Sequence, residues 1–200
     1  MKRTLMLMML AVAATALLPR LASSQIVMEK PHVRPTGPTY HYTVFAGWGY
    51  TSINQVNQSR SGLQGFSASF TRDWGKYFGL TVDGGHYAWQ TTASNSAVGK
   101  PSVDYYLAGP ELHAELYGPT SMFVHGLLGI AHTGGVNISP AASPAGGIGI
   151  GMDYHFTPRV SLRLSGDDVF SDFTVVPYQQ GFSPHIRWNA RASLGVAYRF

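Results

Sequence analysis

The chain has 200 residues and no cysteine, only 12% of its residues are charged, and its formal net charge is +4. The absence of cysteine excludes both a disulfide framework and lipid attachment at a cysteine. Three of the 14 basic residues precede residue 25, whereas all ten acidic residues follow it, so the remaining chain is nearly neutral and lacks the basic surface expected of a nucleic-acid-binding protein.

The first 24 residues have the organisation of a secretory signal peptide. Lys2 and Arg3 precede a 14-residue apolar run, residues 5–18, and small residues stand before residue 25. A helix needs ~20 apolar residues to span a bilayer, so this run is too short for a typical transmembrane anchor. We therefore predict that residues 1–24 are removed on export, with an uncleaved anchor as the alternative.

Residues 25–39 contain three prolines and show no hydrophobic periodicity, which predicts a short periplasmic lead-in. From residue 40 onward, apolar residues recur at every second position, a pattern that places alternate side chains on opposite faces of a strand. The high contents of glycine, 23 residues, and of aromatic residues, 12%, favour the same class of structure. We predict that residues 40–200 form one all-β domain.

Eight segments with this alternation follow one another along the chain. The sixth is the clearest, because Ile148, Ile150 and Met152 alternate with glycines. The fifth is apolar on both faces, so its pattern does not determine which face points inward. In chain order the segments are 42–50, 65–71, 78–85, 106–115, 122–131, 147–156, 160–167 and 187–200.

The connections between these segments alternate in length. The long ones are 51–62, 90–102, 133–144 and 168–184, and the short ones are 73–76, 117–120 and 157–159. Outer-membrane barrels have an even number of strands, short periplasmic turns and longer extracellular loops. The prediction is therefore an all-β, eight-stranded antiparallel up-and-down transmembrane β-barrel of the bacterial outer membrane, with four extracellular loops and both ends of the barrel in the periplasm.

The charged residues of the segments fall on the face opposite the apolar one. An Arg on the lipid side at mid-depth costs about 2–4 kcal/mol, so these residues are predicted to point into the lumen, where buried charges must be paired. Because an eight-stranded barrel is narrow enough for side chains to fill, we expect a plugged interior, with a small conducting pore as the alternative. The predicted interior polar cluster consists of Asp83, Glu111, His113, Glu115, Asp153, His155, Arg163, Asp167, Arg187 and Arg191.

Aromatic residues collect at the ends of the segments, as the interface belts of outer-membrane barrels require. We predict that the belt beside the long connections contains Trp48, Tyr50, Tyr87, Trp89 and Trp188. The belt beside the short turns is predicted to contain Tyr42, Trp74, Tyr77, Tyr154, Tyr198 and Phe200.

Hydrolytic catalysis at the rim would need a serine, a histidine that activates it and an acid that orients the histidine. The His-X-Ser-Asn motif expected of lipid A deacylases is absent, since Thr133 and Gly134 follow His132. We therefore expect no enzyme activity, with a lipid-modifying hydrolase as the less favoured alternative. By position, the candidate residues for such a hydrolase are His86, His132, His185 beside Ser183, Asp168 and Asp172.

Two inward pairs, His113 with Glu115 and Asp153 with His155, could each supply two metal ligands, but a metal site needs more than such a pair. The glycine run over residues 146–151 lacks the Lys-Ser/Thr ending of a phosphate-binding loop. We expect neither a metal nor a cofactor, and we expect the inward glycines to make room for side chains across the lumen.

Four segments resemble the OmpA-type outer-membrane β-barrel domains of Gram-negative bacteria. They are YTVFAGWGY at 42–50, FGLTVDGG at 78–85, GGIGIGMDYHFTPRVSLRL at 146–164 and ASLGVAYRF at 192–200. The resemblance covers residues 40–200 and implies the barrel but no particular activity, because such folds have many roles. Full-length members of the family carry a C-terminal peptidoglycan-binding domain; we expect here a barrel alone, without cell-wall tethering.

The last segment also resembles the C-terminal signal that the outer-membrane barrel assembly machinery recognises. Its alternate apolar residues are Leu194, Val196, Tyr198 and Phe200, and deletion of Phe200 is expected to impair assembly. The other expected partners are outer-membrane lipid and lipopolysaccharide, and we expect a monomer that binds no nucleic acid. The predicted role is structural, or a surface interaction through the loops.

Overall fold

A computed structural model of the chain describes residues 40–54, 60–90, 100–116, 118–136, 140–171 and 187–200. The predicted signal peptide, residues 1–24, and the predicted lead-in, residues 25–39, lie outside these residues. Within the described ranges, no helix has the length and apolar character needed to cross a membrane.

Eight β-strands pair in sequence order and close into a barrel. They are β1 Tyr42–Asn54, β2 Arg60–Trp74, β3 Phe78–Gln90, β4 Lys100–Glu115, β5 Thr120–Val136, β6 Ala141–His155, β7 Val160–Ser171 and β8 Arg187–Arg199. Each strand pairs antiparallel with the next, and β1 closes the barrel by pairing with β8. The predicted all-β, eight-stranded antiparallel up-and-down barrel is confirmed.

Strand alternation gives the barrel two different walls. On β6, Ile148, Ile150 and Met152 are exposed on the outer wall, whereas Gly151 and Asp153 are buried on the inner wall. Because successive side chains of a strand point to opposite faces, apolar residues form an outer belt while small and polar residues line the lumen. Closure of the sheet removes its edges, so the backbone polar groups are satisfied within the protein, as a lipid environment requires.

The connections at the two ends of the barrel are different sets of residues. Residues 75–77, 116–119 and 156–159 connect the strands at one end, which we call the turn end. In outer-membrane barrels, the short turns lie on the periplasmic side. The opposite end, which we call the loop end, has the connections 55–59, 91–99, 137–140 and 172–186.

The prediction of a long connection over residues 133–144 was wrong. β5 continues to Val136, β6 begins at Ala141, and Thr133 pairs with Ala141 in the ladder. Polar residues on the outer wall of this part, such as His132, break the apolar alternation without breaking the backbone pairing. The alternation therefore marks the apolar belt, but it does not mark the ends of the strands.

A β-bulge between β2 and β3 changes the faces on which the last residues of β3 lie. Gly65 pairs with Tyr87 and Gln64 pairs with Trp89, so Ala88 has no partner in the register. Tyr87 precedes the bulge, has the same parity as the inward Thr81 and Asp83, and is fully buried in the lumen. One extra residue reverses the alternation beyond that point, so Trp89 is exposed on the outer wall. The assignment of Tyr87 to the outer aromatic belt was therefore wrong.

Strand pairing also determines the orientation of β5, whose segment is apolar on both faces. Phe123 and Leu127 are buried on the inner wall, whereas Leu128 and Ile130 are exposed on the outer wall. His125 has the same parity as Phe123 and Leu127, so its side chain enters the lumen.

Candidate functional site in the barrel interior

The barrel interior has two parts that differ in chemistry. The part nearer the loop end is an apolar cluster, formed by Ile53, Leu63, Tyr87, Val103, Tyr105, Leu107, Leu127, Ala131, Ala145 and Val169. The middle and the turn end hold a polar network, formed by Asp73, Asp83, Glu111, His113, His125, Asp153, Arg163, Asp167, Arg191 and Arg199. Most of these side chains are buried inside the barrel.

Arg191 of β8 joins two carboxylates in the middle of the lumen. Its Nη1 donates to Asp83 Oδ1 on β3, and its Nε donates to Asp167 Oδ2 on β7 at 3.0 Å. The side chain is nearly inaccessible to solvent, and a guanidinium group remains charged in proteins. Burial of such a charge is tolerable because both carboxylates are hydrogen-bonded to it.

His125 continues the network on the other side of Asp167. Its Nε2 lies 2.5 Å from Asp167 Oδ1, and its Nδ1 lies 3.4 Å from Glu111 Oε2. Each nitrogen of the imidazole therefore faces a carboxylate oxygen, and His125 links two buried acids.

A glycine on the intervening strand makes this contact possible. Gly149 of β6 pairs with His125 of β5 on one side and with Asp167 of β7 on the other. A Cβ atom at Gly149 would lie 2.1 Å from Asp167 Oδ1 and 2.3 Å from His125 Nε2. The absence of a side chain leaves the gap through which the His125–Asp167 pair forms. Gly151 similarly makes room for Phe123, whose ring would lie 2.1 Å from a Cβ atom there.

A separate ion pair lies nearer the turn end. Arg163 donates from Nε and Nη2 to the two oxygens of Asp153, both at 2.8 Å. Arg199 adds a weaker contact, with its Nη2 at 3.6 Å from Asp153 Oδ2. The Arg163 guanidinium also lies over the ring of Phe123, at 4.4 Å from the centroid, so this cation has both a bidentate acid partner and an aromatic face.

His113 extends the polar network to the rim. Its Nε2 lies 3.0 Å from Asp73 Oδ1 and 3.5 Å from Glu111 Oε1. A line of charged contacts thus runs from Asp83 in the middle of the barrel to Asp73 at the end of β2. Asp73 and His125 were not among the predicted interior residues. His125 could have been assigned inward by the general rule that charged side chains avoid the lipid face.

The predicted interior residues fall into two groups. The network includes seven of them: Asp83, Glu111, His113, Asp153, Arg163, Asp167 and Arg191. Glu115 does not belong to the network, because it is the last residue of β4 and pairs at the exposed rim with Lys76 at 3.5 Å. His155 is half-buried and bonds through Nε2 to Ser121 Oγ at 2.9 Å, and the side chain of Arg187 lies outside the described part of the chain.

The carboxylates of the network outnumber its guanidinium groups. In the described interior it contains five carboxylates and three guanidinium groups. His125 and His113 each lie between two of these carboxylates.

The apolar cluster covers this network from the loop end. The rings of Tyr87 and Tyr105 meet edge to face at a centroid distance of 5.9 Å, and both residues are fully buried. Tyr105 also lies beside Arg191, whose Cζ is 6.0 Å from its ring centroid. Gly49 and Gly85 make room for Tyr87, because a Cβ atom at either would lie within 2.7 Å of its ring.

The rim histidines considered for catalysis lie on the outer wall. His86 Nδ1 is 2.5 Å from Asp104 Oδ1, and His132 Nδ1 is 3.8 Å from Asp104 Oδ2. Within the described ranges, neither histidine is hydrogen-bonded to a serine hydroxyl. Asp168 lies on the outer wall of β7, and the remaining candidates lie outside the described residues: Ser183, His185 and Asp172.

The two pairs considered as metal ligands are directed to other partners. His113 contacts Asp73 while Glu115 contacts Lys76; Asp153 binds Arg163 while His155 bonds to Ser121. Among the side chains that the structure describes, no three His, Asp or Glu residues are arranged to hold a metal ion.

Neither a protein-family model nor a curated protein matches the sequence, but the fold matches solved structures. Neisserial surface protein A is 16% identical, with 80% of this chain and 97% of that chain covered and a TM-score of 0.62. Ail, the attachment invasion locus protein of Yersinia pestis, is 14% identical, with 82% and 100% covered and a TM-score of 0.52. The N-terminal barrel domain of Pseudomonas aeruginosa OprF is 16% identical, with 80% and 98% covered and a TM-score of 0.50.

Sequence identities this low indicate a shared fold but not a shared function. The matched proteins are eight-stranded barrels of bacterial outer membranes, and the outer apolar belt described above is the wall that such a barrel turns to lipid. In its fold, the protein is therefore a bacterial outer-membrane β-barrel.

Proposed function

We propose that the protein is a non-conducting outer-membrane barrel of the OmpA type, with a structural or surface-interaction role rather than a transport or catalytic one. The observation that carries this proposal is the occupation of the lumen by the polar network and the apolar cluster. A passage for ions would have to displace buried side chains such as Tyr87 and Tyr105, or break the bonds of Arg191 to two acids.

The same fold serves a surface protein in Neisseria and an attachment invasion locus protein in Yersinia pestis, so a surface role is compatible with this architecture. The connections of the loop end would provide the contact surface. Outer-membrane lipid and lipopolysaccharide would surround a monomeric barrel, after export directed by residues 1–24.

Planar-bilayer recording tests the absence of conduction. The purified, refolded barrel is expected to give no current above the baseline, whereas a porin inserted in the same way serves as the positive control. A reproducible unitary conductance that scales with the amount of protein would overturn the proposal in favour of a small pore.

Mass spectrometry of lipid A tests the absence of catalysis. Lipid A from cells with and without the protein is expected to have the same acylation pattern. A pattern that changes with the protein, and that reverts when His86 is replaced by Ala, would instead assign a lipid-modifying activity to the outer wall around Asp104.

We also propose that the outward residues of β8 are contacts of the barrel assembly machinery. Leu194, Val196, Tyr198 and Phe200 are all exposed on the outer wall, so they offer a row of apolar side chains on one strand. Phe200→Ala is expected to lower the amount of heat-modifiable barrel in the outer membrane several-fold. Phe156→Ala, which removes an exposed aromatic ring in a turn, is the matched control; equal levels of the two variants would contradict this assignment.

A further inference from the structure

Charge on the outer surface of the barrel differs between its two ends. Near the loop end, the described outward-facing acids are Asp104 and Asp168. At the turn end, Arg72 of β2 and Arg159 of the turn before β7 are exposed. In the described part of the chain, no carboxylate lies within ion-pair distance of either arginine. The turn end therefore presents two exposed cations without an ion-pair partner among the described carboxylates.

These two cations flank a row of aromatic rings. The Arg72 guanidinium lies 6.0 Å from the ring centroid of Tyr42. Tyr42 stacks on Phe200 at 5.6 Å, and Phe200 stacks on Tyr198 at 6.2 Å. Arg159 lies at the far end of the row, because the next residue, Val160, pairs with Tyr198 and the carbonyl of Arg159 accepts from the backbone N–H of Arg199 at 2.8 Å. We call these five residues the arginine-flanked strip; it crosses the seam at which β1 and β8 close the barrel.

Both arginines are held in place without being neutralised. Arg72 lies between two rings, because its Cζ is also 5.0 Å from the centroid of Trp74. The Arg159 guanidinium lies over the ring of Tyr40, with its Cζ 5.9 Å from the centroid, and interaction first with Tyr40 and then with Tyr198 raises the pKa of Arg159 above its ordinary value. Aromatic and phenolic partners orient a guanidinium group but leave its charge and several of its N–H donors available.

The hollow beside Arg72 favours a ligand with an acidic head. It is lined by His41, Tyr42, Arg72, Asp73, Trp74 and Gly75. The one carboxylate in this lining, that of Asp73, has its Oδ1 turned toward the lumen, 3.0 Å from His113 Nε2. A phosphate diester is the anion found at this depth of a bilayer, and guanidinium groups bind phosphate with paired hydrogen bonds.

We propose that Arg72 and Arg159 bind the phosphate groups of anionic phospholipids in the periplasmic leaflet, with Tyr42, Phe200 and Tyr198 as the apolar surface between them. Interfacial aromatic residues lie at headgroup level, which places the two cations beside the phosphates. A zwitterionic lipid brings a positive group as well and is therefore held less strongly. The proposal requires the barrel to lie in the outer membrane, but it does not depend on whether the lumen conducts.

The test uses the full chain in lipid vesicles with Trp74 as the reporter. The protein has four tryptophans, so replacement of Trp48, Trp89 and Trp188 by Phe leaves Trp74 as the single fluorophore. Quenching by brominated phosphatidylglycerol is compared with quenching by brominated phosphatidylcholine. An attraction of roughly 1 kcal/mol per basic residue corresponds to about a fivefold preference for the anionic lipid, and we expect at least this preference at low salt.

Matched variants assign the preference to the strip. The double variant Arg72→Gln/Arg159→Gln is expected to bring the ratio of the two quenching constants close to one. Lys76→Gln removes a cation at the same end that is already paired with Glu115 at 3.5 Å, so it is expected to leave the ratio unchanged. A barrel that retains only Trp89, at the loop end, should report no preference between the lipids.

Equal quenching by the two lipids with both arginines present would overturn the proposal, as would a preference that survives their replacement. Native mass spectrometry provides a second measurement that does not depend on the tryptophan substitutions. The unsubstituted barrel is expected to retain phosphatidylglycerol over phosphatidylcholine, and the double Gln variant is expected to lose this retention. Equal retention of phosphatidylglycerol by the unsubstituted barrel and by the double Gln variant would contradict the lipid site. This outcome would not bear on whether the lumen conducts.

Discussion

The apolar cluster and the polar network fill the same lumen to a similar degree, since Tyr105 of the first and Glu111 of the second are both almost inaccessible to solvent. They are stabilised differently. Each residue of the apolar cluster contributes according to the area that it buries, and it does so independently of any one neighbour. Each residue of the network is favourable only while its partners are present, because an unpaired buried charge is strongly destabilising.

This difference predicts how each part responds to change. In the apolar cluster, the cost of a substitution should follow the volume that is lost or gained. In the network, the cost should follow the number of partners left unsatisfied, even when the volume is kept.

Arg191→Met is expected to have the largest effect. It leaves Asp83 and Asp167 without the cation to which both are hydrogen-bonded, and loss of one member of a buried ion pair costs about 3–5 kcal/mol. The measurement is the free energy of unfolding in urea, for the barrel refolded in vesicles. Lys100→Met, at an exposed cation, is the control and should be nearly neutral; equal losses for the two variants would show that the network is not a stabilising unit.

Gly149→Val is expected to destabilise the barrel by overpacking, with a cost of about 1–3 kcal/mol. The new side chain would occupy the space where the His125–Asp167 pair forms, since even its Cβ would lie 2.1 Å from Asp167 Oδ1. Gly126→Val is the matched control on the outer wall of β5, because no atom lies within 4 Å of a Cβ there. The denaturant midpoints of the two variants are compared. A lower midpoint for Gly126→Val than for Gly149→Val would contradict the role of Gly149 in making room for the His125–Asp167 pair.

Two substitutions that nearly keep side-chain volume allow a direct comparison of the polar network with the apolar cluster. Asp167→Asn removes one charge beside Arg191 and His125 and is expected to cost about 1–3 kcal/mol, as for other buried polar groups left unsatisfied. Leu127→Met, in the apolar cluster, is expected to cost less than about 1.5 kcal/mol. A larger loss for Leu127→Met than for Asp167→Asn, in the same unfolding measurement, would reverse the comparison.

The sequence was sufficient to predict which residues line the inner wall wherever charged residues follow the period-two alternation. Asp83, Arg163 and Arg191 lie inside as predicted from period-two patterning, because a charge on the lipid side is too costly. It was not sufficient to predict which charges meet. Arg191 of β8 reaches Asp83 across the lumen on β3, and that contact depends on the register of every strand between them.

The apolar cluster was not predicted. Alternation does place Val169 on the face of Asp167 and Tyr105 on the face of Glu111, but only charged and polar residues were assigned to the interior. Leu127 lies in the segment that is apolar on both faces, where alternation does not decide.

Tyr87 was placed on the wrong wall because it was assigned to the belt as an aromatic residue near a strand end, although it has the same parity as the inward Asp83. The unpaired Ala88 reverses the alternation only beyond Tyr87 and turns Trp89 to the outer wall. A bulge of one residue carries no clear signal in one sequence.

Thiol labelling distinguishes a filled lumen from an open, water-filled one. The chain has no cysteine of its own, so a single introduced thiol reports on its own position. Ala131→Cys places a thiol in the apolar cluster at a fully buried position, and Pro158→Cys places one in an exposed turn. A charged, membrane-impermeant thiosulfonate is expected to label Pro158→Cys rapidly and Ala131→Cys only after the barrel is unfolded. Labelling of Ala131→Cys in the folded barrel at a rate near that of Pro158→Cys would show an open, water-filled lumen and would contradict the account.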